Sequence, residues 1–168
     1  SVIWIRMITA LIVLLPFLGK LIPKSYIKGD WKILLPMVLF QPCLYFLLES
    51  NALTLTTSTQ AGVISATVPI LVTIGAWLFL SEKINYKTIL GILLSVIGVI
   101  LLTKSQGSET EASNPILGNI LEVGAMVFAA GNMLIIKKLS HRYNPWSLTA
   151  MQVIAGSIFF IPGLFQLI

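Results

Sequence analysis

Three ionisable side chains lie inside long apolar runs of the sequence, where charge is unfavourable: Arg6, Glu49 and Glu122. At the centre of a bilayer each charge costs about 2.5–3.5 kcal/mol on insertion scales, so such residues usually face protein or water. A glutamate in that position can take up a proton or hold a cation, and Arg6 can pair with either glutamate. All three are therefore candidates for binding a substrate or a coupling ion, against the simpler alternatives of a structural ion pair or side chains that reach the interface.

Helical spacing adds polar side chains to these candidates. Gln41, Tyr45 and Glu49 follow i, i+4, i+8 spacing, which places them on one face of a continuous helix. Gln152 lies on a second stripe of polar and small residues, and Glu122 shares its face with Ala125, Met126 and Ala129. Such faces can line a cavity or pack helices together, and the sequence favours neither. The candidates for binding a substrate or a coupling ion are Arg6, Gln41, Tyr45, Glu49, Glu122 and Gln152.

The composition places these residues in a membrane protein. Of the 168 residues, 57% are hydrophobic and 10% are charged, whereas a soluble domain has roughly 25% charged residues. The net charge of +5 comes from basic residues in short connections between apolar runs, so it indicates topology rather than nucleic-acid binding. With one cysteine, Cys43, and one histidine, His141, the sequence predicts no internal disulfide, no metal site of the Cys/His type and no cofactor.

Six apolar runs are long enough, or nearly so, to cross a bilayer, which takes about 20 helical residues. They cover residues 2–19, 33–55, 59–80, 86–103, 116–136 and 146–168. The runs do not alternate in segments of about ten residues, so they predict transmembrane helices rather than strands. Several contain prolines, which membrane helices tolerate when neighbouring groups bond to the freed carbonyls. The predicted fold class is an all-α integral membrane protein with six transmembrane helices in this chain.

The connections between these runs differ in charge according to the side on which they fall. One side receives Lys104 with Glu109 and Glu111, and the other receives most of the basic residues: Lys20, Lys24, Lys28, Lys32, Lys83, Lys87, Lys137, Lys138 and Arg142. The positive-inside rule places the lysine-rich side in the cytoplasm. We expect a bacterial inner (plasma) membrane, with the Ser/Glu/Thr-rich segment 105–115 as an external linker.

The first and sixth runs share a pattern. Arg6 precedes Pro16 by ten residues, Gln152 precedes Pro162 by ten, and the two copies are offset by 146 residues. The copies are five runs apart, so they cross the membrane in opposite directions. Inverted repeats of this kind are typical of secondary transporters.

A further pattern runs through the third and fourth runs: a Ser/Thr/Ala-rich turn at 52–61, then Pro69, Glu82, and the glycines Gly91 and Gly98. It resembles the EamA-type repeat of the drug/metabolite transporter superfamily. The resemblance implies a ten-helix bundle of two inverted five-helix repeats, with both termini in the cytoplasm. On that map residues 1–104 hold helices two to five of the first repeat, 105–115 form the external linker, and 116–168 hold the first two helices of the second repeat.

The resemblance also implies that the first helix and the last three lie outside this sequence. Ser1 is not an initiator residue and the sequence begins and ends within apolar runs, so we expect an internal piece of a longer protein. On the fourth run, Gly91, Ser95 and Gly98 are expected to seal one helix against its neighbour, or alternatively to form a dimer contact.

The leading functional interpretation is a secondary transporter that moves a small metabolite or drug-like solute by alternating access, with export as the expected direction. Superfamily members carry amino acids, amines, sugars, nucleotides and drugs, so the resemblance implies no particular substrate. Glu49 or Glu122 can couple transport to protons if desolvated. The alternative is a non-transporting scaffold or receptor, which needs no intramembrane charge. A membrane enzyme has less support, because no Ser–His or paired aspartate arrangement lies within the runs.

Overall fold

A computed structural model of the chain describes residues 2–14, 27–105 and 113–161. The regular elements in these ranges are α1 (Val2–Leu14), α2 (Trp31–Val38), a π-helical segment (Leu39–Leu44), α3 (Tyr45–Leu55), α4 (Ser58–Ser65), α5 (Val68–Leu80), α6 (Tyr86–Ser105), α7 (Pro115–Leu139) and α8 (Pro145–Phe159). The predicted all-α class is therefore confirmed for the described residues.

Three helical stretches are long and apolar enough to cross a membrane: Trp31–Ala52, Ser58–Leu80 and Pro115–Leu139. They correspond to the second, third and fifth predicted runs. Two shorter apolar stretches lie in α1 and α6, and α8 has 15 residues, so the count of six spans stays a prediction. Residues 15–19, 106–112 and 162–168, which belong to the first run, the predicted linker and the last run, lie outside the described residues, as do both prolines of the predicted internal repeat.

The stretch Trp31–Ala52 is interrupted at Gln41. Gln41 has φ −139° and ψ 123°, an extended conformation, because the ring of Pro42 disfavours the α region for the residue before it. The Gln41 carbonyl accepts a hydrogen bond of 3.0 Å from Gln152 Nε2, as expected for a helix broken beside a proline. The prediction that Gln41, Tyr45 and Glu49 share one continuous helical face is therefore wrong at Gln41, although Tyr45 and Glu49 lie one turn apart on α3.

The stretch Ser58–Leu80 is also divided, between α4 and α5. The helix α4 ends at Ser65, and α5 begins at Val68 with Pro69 in its first turn. Proline is tolerated in the first turn because N–H groups there have no partner within the helix. At the break, Thr67 Oγ1 donates to the Ile64 carbonyl at 2.7 Å. The division places Ser65 at the end of a half-helix rather than in the middle of a span.

The chain forms two compact units, of which unit 1 is Ser1–Phe46 with Ile135–Ile168 and unit 2 is Leu47–Leu134. Unit 1 has a buried core of Met37, Leu139, Tyr143 and Leu148. In this unit α8 packs against α1 and against the π-helical segment. A Cβ atom on Gly156 of α8 would lie 2.5 Å from Pro42 Cγ, so this glycine allows α8 to approach the broken helix closely.

In unit 2 the start of α7 lies against the end of α3. Asn114 N donates to the Leu55 carbonyl at 3.1 Å. A Cβ atom on Gly118 would lie 2.8 Å from the backbone nitrogen of Thr56. The glycine at 118 therefore lets two helix ends meet at backbone contact.

The glycines of α6 behave differently from Gly118. A Cβ atom on Gly91 or Gly98 would meet no atom within 4 Å, and both residues are exposed. Neither glycine therefore makes a close helix contact in the described parts of the chain. Both interpretations of this face, a seal against a neighbouring helix and a dimer contact, stay predictions.

Candidate functional site

Glu122 lies in the first third of α7 and is 1% exposed. Its neighbours on the predicted stripe, Ala125, Met126 and Ala129, are buried as well, so the stripe is a buried face of α7. Ser65, at the end of α4, donates a hydrogen bond of 3.1 Å to Glu122 Oε1. The second carboxylate oxygen, Oε2, has no hydrogen-bond partner among the described residues. A buried oxygen without a partner opposes folding, so packing alone does not explain this side chain.

Glu49 is the second predicted carboxylate that the structure brings to this place. It is half-buried on α3 and close enough to Glu122 for the two side chains to interact electrostatically. Two carboxylates in an apolar environment repel each other unless one is protonated or a cation lies near both. The pair is therefore suited to take up a proton or a cationic group.

A polar cluster holds the helices that carry this pair. The Thr56 hydroxyl donates to Asn119 Oδ1 at 2.6 Å and lies 2.8 Å from Gln60 Oε1. Thr56 follows α3, Gln60 lies on α4 and Asn119 on α7. The cluster thus ties together the three helices on which the two glutamates and Ser65 are found, and it fixes their relative positions within unit 2.

The other four predicted site residues belong to unit 1. The guanidinium of Arg6 lies over the ring of Phe46, 5.1 Å from its centroid, in a cation–π contact. Tyr45 meets the same ring edge-on, with centroids 5.0 Å apart, and Gln152 binds the Gln41 carbonyl. The structure thus joins Arg6 and Tyr45 through Phe46, and the two glutamines to each other. The pairing of Arg6 with a glutamate stays a prediction.

A charged cluster that the sequence analysis missed surrounds Asp30. Arg142 donates from Nη2 to Asp30 Oδ2 at 2.8 Å and from Nη1 to Oδ1 at 3.3 Å. The Tyr143 hydroxyl donates to Oδ2 at 2.6 Å, and the Ile27 N–H donates to Oδ2 at 3.0 Å. Asp30 and Tyr143 are both buried. We refer to Asp30, Arg142 and Tyr143 as the Asp30 clasp.

The clasp favours the ionised form of Asp30. The hydrogen bonds from the Tyr143 hydroxyl and the Ile27 N–H, with the Arg142 guanidinium, lower the pKa of the Asp30 carboxyl below its ordinary value of 3.8 despite the opposing effect of burial. A carboxyl whose folded-state pKa is lowered stabilises the fold above its unfolded pKa, and this contribution is lost as the pH falls through the lower folded value. The clasp is therefore charged and intact throughout the neutral range.

Local sequence signals could not have revealed the clasp. Asp30 precedes α2 at the N-cap position, where aspartate usually bonds to the first turn, but its side chain makes no capping bond. Its partners lie 112 and 113 residues further along the chain. Ser65 was missed for a related reason: its contact with Glu122 joins residues 57 apart in the sequence.

The residues around Glu122 do not coincide with the open depression of about 380 Å³ at the end of α5. That depression is lined by Trp77, Leu78, Ser81, Glu82 and Lys83 and belongs to the exposed end of the helix. It contains neither glutamate of the pair. The contact between Ser65 and Glu122 is therefore separate from this depression.

Comparison with known proteins identifies relatives of the chain. It is 33% identical over 108 residues to the uncharacterized transporter YetK of Bacillus subtilis, covering 64% of the chain and 33% of that protein. It is 35% identical over 104 residues to an uncharacterized transporter of Archaeoglobus fulgidus, covering 62% and 36%. With the uncharacterized transporter YvbV of Bacillus subtilis it shares 29% identity over 153 residues, covering 89% and 47%.

The chain thus spans about a third to a half of the length of these curated relatives. No solved structure gives a significant match to it. Residues 1–104 match the EamA-like transporter family, which agrees with the resemblance seen in the sequence. Since that match covers more than half of the 168 residues, the chain belongs to the EamA-like transporter family.

Proposed function

We propose that the full-length protein is a secondary transporter that exports a small metabolite or drug-like solute by alternating access. Membership of a transporter family supports a membrane carrier. The observation that supports the mechanism best is Glu122, a 1% exposed carboxylate in a membrane-length helix whose Oε2 has no partner among the described residues.

A buried glutamate of this kind is hard to explain as a structural group. Removing its charge from water is unfavourable, and the Ser65 hydroxyl compensates only one of its two oxygens. Protonation of Glu122, or a cationic group of a solute near Glu49 and Glu122, would compensate the other. In our proposal Glu122 is therefore the residue that exchanges a coupling proton or binds a cationic solute, with Glu49 as the second carboxylate.

The divided helices support the same function. Secondary transporters commonly form their binding sites at discontinuous helices, where chain ends and carbonyls become available to ligands. Two of the three membrane-length stretches in the described residues are divided, one at Gln41 and one between Ser65 and Val68. We propose that Arg6, Gln41, Tyr45 and Gln152 contribute to substrate binding beside the first of these breaks.

The membrane topology belongs to the same proposal. We place the lysine-rich connections in the cytoplasm and the protein in a bacterial inner membrane, because the basic residues fall mainly on one side of the apolar runs. We also propose a ten-helix bundle of two inverted repeats, which the charge pattern of the connections supports. The match to the family ends at residue 104, where the first repeat is proposed to end.

A ligand screen on the full-length protein in detergent tests this proposal. Thermal stability would be measured with amino acids, amines, sugars and nucleotides in turn. A ligand that binds only the folded state stabilises it by about 2.7 kcal/mol at a hundredfold excess over Kd. We expect one class to stabilise the wild type and Glu82→Gln, which changes an exposed carboxylate outside the spans, but not Glu122→Gln.

The screen separates a transporter from a scaffold. A scaffold has no need of a small solute, so the absence of stabilisation by every class would contradict the proposal and favour the scaffold. Stabilisation that persists unchanged in Glu122→Gln would contradict the role of Glu122 in binding, and would point to the residues of unit 1 instead.

A further inference from the structure

The Asp30 clasp joins two parts of the chain that the family match separates. Asp30 lies within residues 1–104, which match the family, whereas Arg142 and Tyr143 lie beyond them. The contact occurs where two membrane-length stretches end: α2 begins directly after Asp30, and α7 ends at Leu139. In the proposed two-repeat organisation, the clasp is thus a contact between the repeats at one face of the membrane.

The two partners of Asp30 in the clasp differ in their surroundings. Tyr143 packs into the apolar core of unit 1 with Met37, Leu139 and Leu148. The Arg142 side chain is 41% exposed, so water can reach the ion pair. Water can replace the hydrogen bonds that the exposed Arg142 makes to Asp30, whereas the hydrogen bond from Tyr143 to Asp30 is buried. The Arg142 contact is therefore easier to break than the Tyr143 contact.

The Asp30 carboxylate is bound by the clasp rather than by its own helix. Asp30 has a helical backbone conformation, with φ −61° and ψ −23°, and its side chain makes no capping bond to α2. Besides the local bond from the Ile27 N–H, its partners are Arg142 and Tyr143, which follow α7. The contact between the start of α2 and the end of α7 therefore depends on these two side chains.

We propose that the Asp30 clasp is a gate contact of the transport cycle, closed when the lysine-rich face of unit 1 is closed and broken when that face opens. The proposal rests on the proposed alternating-access function, because alternating access requires contacts between repeats to form and break at each face in turn. Lys28, Lys32, Lys137 and Lys138 flank the clasp in sequence and give this face its positive charge.

A buried reporter thiol tests the gate directly. Ser147, in the first turn of α8, is 0% exposed and lies four residues after Tyr143. The full-length protein would carry Ser147→Cys in a background with Cys43→Ala and no other reactive thiol. The measured quantity is the rate of labelling by a membrane-impermeant maleimide applied to the lysine-rich face of membrane vesicles.

We expect Asp30→Asn to raise the labelling rate of the Ser147→Cys protein roughly tenfold, as a minor open state becomes well populated. Tyr143→Phe, which removes one hydroxyl, should raise the rate by a smaller factor. His141→Ala is the matched control, because it changes the exposed residue next to Arg142 and should leave the rate unchanged. A second reporter, Ala61→Cys, is buried in unit 2 and should also label at an unchanged rate in Asp30→Asn.

Each result decides the proposal. An unchanged labelling rate at position 147 in Asp30→Asn would overturn it, and so would an equal rise at position 61, which would indicate general loosening. If Asp30→Asn does not fold, Tyr143→Phe gives the answer by the same comparison. The labelling needs neither solute nor transport, so a failure of the gate is distinguishable from a failure of the transport proposal, which the ligand screen detects.

Discussion

Ser65 donates the hydrogen bond that the structure shows for the Glu122 carboxylate, and the two side chains come from helices 57 residues apart in sequence. Ser65 lies in the last turn of α4, and its hydroxyl bonds to Glu122 of α7. Ser65 therefore positions Glu122 as well as stabilising it. This makes Ser65 the nearest available test of the geometry around the buried carboxylate.

We predict that Ser65→Ala lowers the free energy of unfolding by about 1–2 kcal/mol, because it leaves a buried carboxylate without its donor. Glu122→Gln should change it by less than about 1 kcal/mol, since the amide keeps an acceptor for Ser65. Ser65→Ala should lower the free energy of unfolding by less in the Glu122→Gln background than in the wild type. The reason is that a hydrogen bond to a neutral acceptor is weaker than one to a carboxylate.

Denaturation of the full-length protein in detergent measures all three free energies. Ser58→Ala, an exposed change at the start of the same helix, serves as the control and should leave the free energy of unfolding unaltered. Equal effects of Ser65→Ala and Ser58→Ala would show that the contact between Ser65 and Glu122 does not form.

Asp30, in the Asp30 clasp, is a carboxylate that stays ionised at neutral pH. Its lowered pKa keeps the carboxylate charged at neutral pH, so protons do not operate this contact in the physiological range. A pH response of transport between about pH 5 and 8 would therefore have to come from a group other than Asp30.

Among the helices, prolines and glycines determine how the site is assembled. The sequence predicts the second, third and fifth spans because their apolar runs are long and continuous, and these three are confirmed. Where each helix divides depends on Pro42 and Pro69. The sequence shows both residues, but it does not show which neighbour, such as Gln152, binds the resulting free carbonyl.

Glycine spacing is a weaker guide to packing than proline is to helix breaks. Gly91 and Gly98 have the spacing of a packing face and lie open in the described residues, whereas Gly118 stands alone in sequence and makes a backbone contact with Thr56. A small residue permits a close approach and does not require one. The candidate site shows the same limit: polar residues in apolar runs revealed both glutamates, and contacts between distant helices revealed Ser65 and the clasp.

We predict that Gly118→Ala destabilises the full-length protein by about 1–3 kcal/mol, because the added methyl group forces the backbones of α7 and Thr56 apart. The matched control is Gly62→Ala on α4, where a Cβ atom meets nothing within 4 Å. Alanine stabilises a helix relative to glycine by roughly 0.5–1 kcal/mol, so the control should be neutral or slightly more stable.

Thermal denaturation in detergent distinguishes the two glycine variants. If the Gly118→Ala and Gly62→Ala proteins are equally stable, the close contact between α7 and the end of α3 does not form. The polar cluster of Thr56, Gln60 and Asn119 would then also need another explanation, since it depends on the same approach.

As a whole, the chain accounts for about a third to a half of its curated relatives. Each unit nevertheless contains one of the two features on which our proposals rest: Glu122 with Glu49 in unit 2, and the Asp30 clasp in unit 1. This division suits a carrier, in which binding a solute and closing a face are separate events linked by one conformational change. The family supplies the class of the protein, and the buried carboxylate supplies the reason to expect coupling.

The most direct test of this account is proton movement in proteoliposomes that contain the full-length protein and a trapped pH-sensitive dye. Amino acids, amines, sugars and nucleotides would be added in turn to the wild type, Glu122→Gln and Glu82→Gln. We predict that one class drives proton movement in the wild type and in Glu82→Gln, and that Glu122→Gln reduces this movement at least about tenfold, as expected when an essential coupling group is lost. Wild-type proton movement in Glu122→Gln would contradict the central role of the buried glutamate.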